Sequence, residues 1–507
     1  MRHTLVGRST GGHTDNASVA DMTDVPTAAE VAAILLDDGT AHEFGADVDL
    51  PTDPEYAATL TRARAKSGSS ESVRTWRGTI AGVPTMLVAG EFTFLAGSVG
   101  IAAAEQIVAA IQVATAEGRA IVSAPTSGGT RMQEGTPAFV RMVPIAAALA
   151  SHRAAGYPII TWLRHPTTGG VMATWGSLGQ VTAAQPGALA GFLGPRVYEL
   201  VVGQPFPEGV QTAENLARVG VIDEVVPVTH LRQWAAKLLT AMTARRSDSP
   251  THAPSTTDPA LPTDTARARM DAWDAVLATR SPMRPGVREL LTAVASDVTE
   301  LSGTGEGERD DAILLALARI SGVGVVVVGQ DRSAGHPFGP AGLRTARRGY
   351  RLATELGLVL VTVIDTEGAE LSPAAEEGAM AGEIARSLAE LSQVQIPVVS
   401  VLLGSGCGGG ALAMLPADRV LAAADSWVTP LPPEGAAAIV HRDLGRAPEM
   451  ARAQRITAAD LAERGVVDVV FTGMADGAPA FLTAACDAVG DAVAEAIVSP
   501  RRVSRFV

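Results

Sequence analysis

Two short glycine-rich segments are the residues in this chain best suited to chemistry. Thr168-Gly169-Gly170-Val171 follows the apolar run Tyr157–Leu163, and Gly408-Gly409-Gly410-Ala411 follows the apolar run Ile396–Leu403. Each reads as a buried strand, a tight turn and the start of a helix of small residues. Successive N–H groups at a helix N-terminus point outward together and carry partial positive charge, and glycine lets a ligand carbonyl approach the backbone. Such a turn can form an oxyanion hole with no polar side chain. Glycines that only permit tight strand-to-helix packing would give the same pattern in a single turn. Two turns at equivalent places favour chemistry.

A third glycine turn, Ser127-Gly128-Gly129 within Pro125–Gly135, follows the run Ala120–Pro125. Its counterpart further along is Asp365-Thr366-Glu367-Gly368-Ala369. Both follow the second strand of their half, and ligands bind outside the carboxyl ends of parallel strands. Charged catalytic machinery is not visible. No HExxH or P-loop motif and no GxSxG elbow after an apolar run occurs, and the nine histidines are scattered. His165, before the first turn, reads as a structural or surface residue. Cys407 has no histidine near it in sequence to act as its base. Gly404, Gly406 and Gly409 do not complete a dinucleotide fingerprint in a first βαβ unit.

The elements that must position these turns come in two matching sets. Apolar runs at Pro84–Gly90, Ala120–Pro125, Tyr157–Leu163 and around Val181 are answered by Gly322–Gly329, Leu358–Asp365, Ile396–Leu403 and the run beginning at Arg419. Leu216–Asp223 (LARVGVID) is answered by Leu461–Asp468 (LAERGVVD). Matched features lie 239 to 245 residues apart, which predicts a duplicated domain. Helical periodicity at Ala102–Glu117 and Ala379–Leu391 separates the runs, so βαβ units with parallel pairing are expected in two α/β domains. Ser247–Asp264 holds four prolines and one large apolar residue, Leu261, and reads as a linker.

Composition removes whole classes of function. The chain has 507 residues and formal net charge −14, and 38 of its 40 basic residues are arginine because only Lys66 and Lys237 are lysines. The acidic balance, without a basic cluster, argues against a nucleic-acid surface. No apolar run is long enough to span a membrane, and Met1–Asp24 does not read as a signal peptide. Two cysteines provide neither a disulfide framework nor a four-thiolate zinc site. A cytoplasmic protein is expected.

The glycine segments also carry a family resemblance. SGGTRMQEG (Ser127–Gly135), PTTGGVMATWGSLG, Gln185–Glu199, Pro207–Val226 and Gly78–Gly100 resemble the β-type domain of the carboxyltransferase component of biotin-dependent acyl-CoA carboxylases. Ala272–Pro285, the segment from DTEGAE through GSGCGGGALAM, and Pro432–Val440 resemble the α-type domain. The resemblance spans about residues 30 to 475 and implies the two domains fused in one chain. It implies two duplicated crotonase-like (ClpP/crotonase) ββα-superhelix domains: a flexible N-terminus (1–25), an acyl-CoA domain (26–246), a linker (247–264) and a biotin domain (265–507).

The chemistry implied is transfer of a carboxyl group from carboxybiotin, carried on another protein, to an acyl-CoA, giving malonyl-CoA or a homologue, as in fatty acid biosynthesis. The biotin ureido nitrogen takes the α-proton, so no charged triad is needed. By the resemblance, Gly169 and Gly170 hold the thioester enolate, while Gly410 and Ala411 hold the ureido oxygen. Ser127, Gly128, Gly129 and Arg131 shape the acyl-CoA side; Gly368 and Gly409 belong to the biotin side; no metal is expected. Ala413 lies near the position where related enzymes tune acyl length. A biotin carrier protein or a biotin carboxylase/carrier α subunit is the expected partner. A homo-oligomer with facing domains, a dimer extending to a hexamer, is also expected. Thr130 and the Asp365–Gly368 loop depart from the family pattern. A malonate-decarboxylase-like enzyme and a catalytically silent scaffold subunit are the alternative readings.

Overall fold

In the computed structural model the described residues are 25–45, 53–192, 194–195, 199, 203–244 and 270–498. The expected linker and residues 1–24 of the expected N-terminal segment lie outside them. Two large sheets are present, one in each half, as the duplication predicts. The first sheet contains β1 (His42–Phe44), β2 (Val73–Ile80), β3 (Val83–Gly90), β4 (Ala120–Ala124), β5 (Ile159–Leu163), β7 (Val181–Ala184) and β9 (Glu224–Val225), in that order across it. A separate pair, β6 (Thr167–Thr168) and β8 (Ala190–Gly191), stands at the first glycine turn. The second sheet runs β10 (Ala295–Glu300), β11 (Ile313–Ile320), β12 (Val323–Gln330), β13 (Val359–Thr366), β14 (Val398–Cys407), β15 (Arg419–Ala423) and β17 (Val469–Phe471). A short β16 (Trp427–Thr429) pairs with the end of β14.

Both sheets begin with antiparallel strands and continue in parallel ones. The apolar runs read from the sequence are the parallel-paired strands, including β3 and β12, which also pair antiparallel with β2 and β11. Every residue of β4, β5, β13 and β14 is buried, as expected of parallel strands covered on both faces. The crossover helices have sequence-readable ends: Ile101–Glu117 stops at Gly118 (φ +66°), and Pro340–Leu356 starts on its proline and stops at Gly357 (φ +67°).

The LARVGVID match is structural as well. Asp223 and Asp468 each accept a backbone N–H from the neighbouring strand, from Thr182 at 2.9 Å and from Val420 at 2.7 Å. The two halves are not separate bodies. The helix Leu231–Thr243, the last described helix before the expected linker, buries Leu238, Leu239 and Met242 in one core with Leu315, Leu317 and Val326 of the second sheet. Gly324 gives this helix room: a Cβ there would lie 2.2 Å from the Ala241 carbonyl oxygen. Arg153 with Glu355, and Arg348 with Asp223, pair across the same boundary at 2.8 Å.

Candidate active site

The site is assembled at the carboxyl ends of the parallel strands. β4 delivers Ser127–Gly129, and β5 followed by β6 delivers Gly169 and Gly170. Ser127 N–H donates to the Pro166 carbonyl (2.7 Å), Thr168 N–H donates to the Ser127 carbonyl (3.0 Å), and Gly128 N–H donates to the Ala96 carbonyl (2.9 Å). Leu95 and Ala96 both hold left-handed φ, +47° and +54°, to offer that carbonyl, a strain the sequence does not show. The two glycine segments touch: a Cβ on Gly169 (φ +63°) would lie 3.2 Å from Gly129 Cα.

The second half repeats this arrangement. Ser127 Oγ accepts the Gly129 N–H (2.9 Å) and donates to the Gly129 carbonyl (3.2 Å); Thr366 Oγ1 does both for Gly368, at 3.0 Å each. Ser127-Gly128-Gly129 and Thr366-Glu367-Gly368 are therefore the same turn, with Glu367 standing in place of a glycine. Gly368 faces the end of β14, and a Cβ there would first meet Cys407 Sγ at 4.0 Å. Left-handed Gly169 and Gly408 lie 239 residues apart, whereas the helix ends Ala173 and Ala413 lie 240 apart. The second turn thus contains one extra residue, in its glycine run.

Backbone donors remain unused at both turns. The N–H groups of Gly170, Val171, Gly409 and Gly410 have no acceptor among the described residues. Gly169 differs from its expected role, because its N–H already donates to the Phe192 carbonyl at 2.9 Å. Val171 is a donor that the sequence reading missed, and only the observed hydrogen bonding reveals it. Gly410 is fixed by space rather than by φ: a Cβ would lie 2.0 Å from Cζ of the buried Phe338.

Other expected residues lie under the site. Arg131 is fully buried, ion-paired with Glu71, and donates to the Ser98 carbonyl at 2.8 Å. It anchors the Ser98 segment, whose neighbour Val99 donates its N–H to the Gly129 carbonyl at 2.9 Å, and it presents no charge at the surface. Ala413 is buried too, its carbonyl accepting the Tyr350 hydroxyl at 3.2 Å. Burial pushes the Cys407 thiol up to about 11, and Glu367 and Glu434 add to the rise, so it is no ready nucleophile. His165 is exposed and its Nδ1 accepts the Leu189 N–H.

Beside the second turn lies a cavity of about 620 Å³, lined by Gln330, Arg332, His336, Asp365, Gly368 and Ser405 among others. Asp365 is buried, which raises its carboxyl; Arg332 (3.3 Å) and Arg284 oppose the rise. No group of three potential metal ligands occurs among the described residues. Unpaired backbone N–H groups at two related turns are suited to holding oxyanions.

The sequence profile of the carboxyl transferase domain matches residues 36–490. The chain belongs to the carboxyl transferase family. A probable biotin-dependent acyl-coenzyme A carboxylase beta3 subunit of Mycobacterium tuberculosis is 52% identical over 448 residues, 88% of each chain. The acetyl-coenzyme A carboxylase carboxyl transferase subunits beta/alpha of Salinispora tropica are 38% identical over 86% of this chain and 80% of theirs. Among solved structures, the transcarboxylase 12S hexamer has a TM-score of 0.76 at 22% identity, covering 94% of this chain and 90% of that one. That likeness gives this carboxyl transferase the expected crotonase-like fold.

Proposed function

We propose that this carboxyl transferase moves a carboxyl group from biotin on a separate carrier protein to the α-carbon of an acyl-CoA. The observation that carries this reading is the pair of equivalent turns, each presenting unpaired backbone N–H groups. Carboxybiotin supplies CO₂ and, after its release, a ureido nitrogen that accepts the α-proton. In the first half, the amides of Gly170 and Val171 would face the thioester oxygen as it gains enolate charge. Gly169 would join them once its N–H left Phe192. In the second half, the amides of Gly410 and Ala411 would face the ureido oxygen, with Gly368 and Gly409 giving the ring clearance. The biotin group fits an acceptor-seeking turn beside an open cavity. Ser127–Gly129 would border the acyl-CoA, with Arg131 anchoring the adjacent Ser98 segment.

The partner is a biotin carrier protein, either alone or joined to a biotin carboxylase. The working form is an oligomer in which the first half of one protomer faces the second half of another. Exposed Met132, Phe139, Val143 and Phe192 in the first half, and Leu412, Ile439, Val440 and Leu444 in the second, support that pairing. The candidate substrates are acetyl-CoA and propionyl-CoA, with malonyl-CoA or methylmalonyl-CoA as product.

The purified chain, given malonyl-CoA or methylmalonyl-CoA with free biotin, should release acetyl-CoA or propionyl-CoA. Biotin-dependent release supports the assignment and ranks the acyl groups. Release without biotin would make the chain a decarboxylase of another kind, and no release from folded protein would overturn catalysis.

A further inference from the structure

Gln330, the last residue of β12, is 1% exposed, and its carboxamide is used at both ends. Nε2 donates to the Gly410 carbonyl at 3.0 Å, and Oε1 accepts the Asp365 backbone N–H at 3.0 Å. The Gly410 carbonyl is free to accept because Met414 N–H, one helical turn onward, bonds Ala411 instead (3.1 Å). The carbonyl of Gly410 and the N–H of Ala411 are two ends of one planar peptide group. A donor on the oxygen fixes the tilt of that plane and polarises its N–H.

We propose that Gln330 is a positioning residue for the second oxyanion turn, orienting the Gly410–Ala411 peptide and strengthening its N–H. This rests on the reading of Gly410 and Ala411 as ureido-oxygen donors. The first half meets the same need from a different element. There Thr174 Oγ1 donates at 2.7 Å to the Gly170 carbonyl, in the peptide whose N–H belongs to Val171. Two halves that hold the corresponding carbonyl with unrelated residues indicate a requirement of the turn, not a relic of duplication. Gln330 also links the turn to the departing loop. Asp365, which it holds, accepts the Ser405 N–H at 3.1 Å, pairs with Arg332 and leads directly into Thr366–Gly368. The Gln330 carboxamide thus sets the spacing between Gly368 and Gly410, the two glycines of the biotin side.

Gln330→Glu keeps shape and the acceptor for Asp365 N–H but sets an oxygen against the Gly410 carbonyl; Gln330→Met removes both bonds. With the full chain and the acyl-CoA it turns over fastest, Gln330→Glu should lower biotin-dependent kcat about tenfold, in the range for loss of an orienting outer hydrogen bond, with KM for the acyl-CoA within about twofold. Amide exchange across residues 408–415 should speed up in both variants. Unchanged kcat in folded Gln330→Glu, a KM for acyl-CoA rising as kcat falls, or unchanged exchange in that segment would each overturn the proposal. Absence of biotin-dependent turnover in the unmodified chain strikes the assigned reaction instead, and the exchange measurement still decides whether Gln330 orders the turn.

Discussion

Gly410→Ala is the sharpest probe of the second turn. The new methyl carbon would lie 2.0 Å from Phe338 Cζ and 2.9 Å from both Cε atoms, where contact distances of about 3.5–4.0 Å are normal. Phe338 has little freedom to retreat: its ring is buried, and its carbonyl is held by the Glu370 N–H at 2.9 Å. The strain therefore falls on the turn helix, at about 1–3 kcal/mol for an overpacked methyl. A displacement of the amides by on the order of 1 Å lowers turnover on the order of 10²-fold. The assay is biotin-dependent acyl-CoA release, run beside thermal unfolding. Phe338→Leu opens the collision site, so Gly410→Ala/Phe338→Leu should recover a large part of the lost kcat. Wild-type turnover in folded Gly410→Ala would remove this turn from the mechanism. A double variant as slow as Gly410→Ala would show that the collision is not the cause.

Arg131→Met strands Glu71 in the interior, and breaking such a buried pair costs about 3–5 kcal/mol; a loss under about 1 kcal/mol in denaturant unfolding would refute the pairing. His152 is fully buried with Nδ1 2.8 Å from Thr115 Oγ1, and burial pushes its imidazole down to about 4. The unfolded chain, titrating near 6.5, binds the proton first, so stability is full above about pH 6.5 and declines as pH falls towards 4. His152→Asn should flatten that slope in unfolding curves at pH 7.5 and pH 5, and an unchanged slope would reject the assignment. Ile439→Glu, at a residue 70% exposed, should yield smaller species by light scattering and lower turnover in parallel. An unaltered assembly would place the protomer contact elsewhere.

The parallel strands were legible because strands buried on both faces need continuous apolar runs. Those of β4, β5, β13 and β14 begin and end within a few residues of the runs in sequence. β2 (VRTWRGTI) and β10 (ASDVTE) were not, because their outer faces carry arginine, threonine and acidic residues that break the run. The helix Pro340–Leu356 was obscured by Arg344, Arg347, Arg348 and Arg351 between its apolar positions. At the site, the glycines could be found from their turns, whereas what each amide already bonds could not. Gly169 is occupied by Phe192, 23 residues away, and Arg131 pairs with Glu71, 60 residues away. Long-range partners of this kind leave no local spacing to read. Nor did the sequence reveal that Thr366 preserves, with a different hydroxyl, the turn that Ser127 makes.

The helix Leu231–Thr243 sets a timetable for biosynthesis. Its buried face includes Leu238, Leu239 and Met242, and its partners on β11 and β12 end at Gln330. A ribosome adding roughly 5–20 residues per second needs roughly 5–20 s to travel from the helix to the end of that hairpin. Throughout that interval the part of the helix that packs on β11 and β12 has nothing to cover it, although Val31, Leu35 and Leu87 of the first half share its core. Slow codons or a stall between the halves would lengthen the window for misassembly with neighbouring nascent chains. An expression host starved of chaperones should consequently lose this protein to inclusion bodies at the stage of the half-made chain, before any completed molecule has had the chance to unfold.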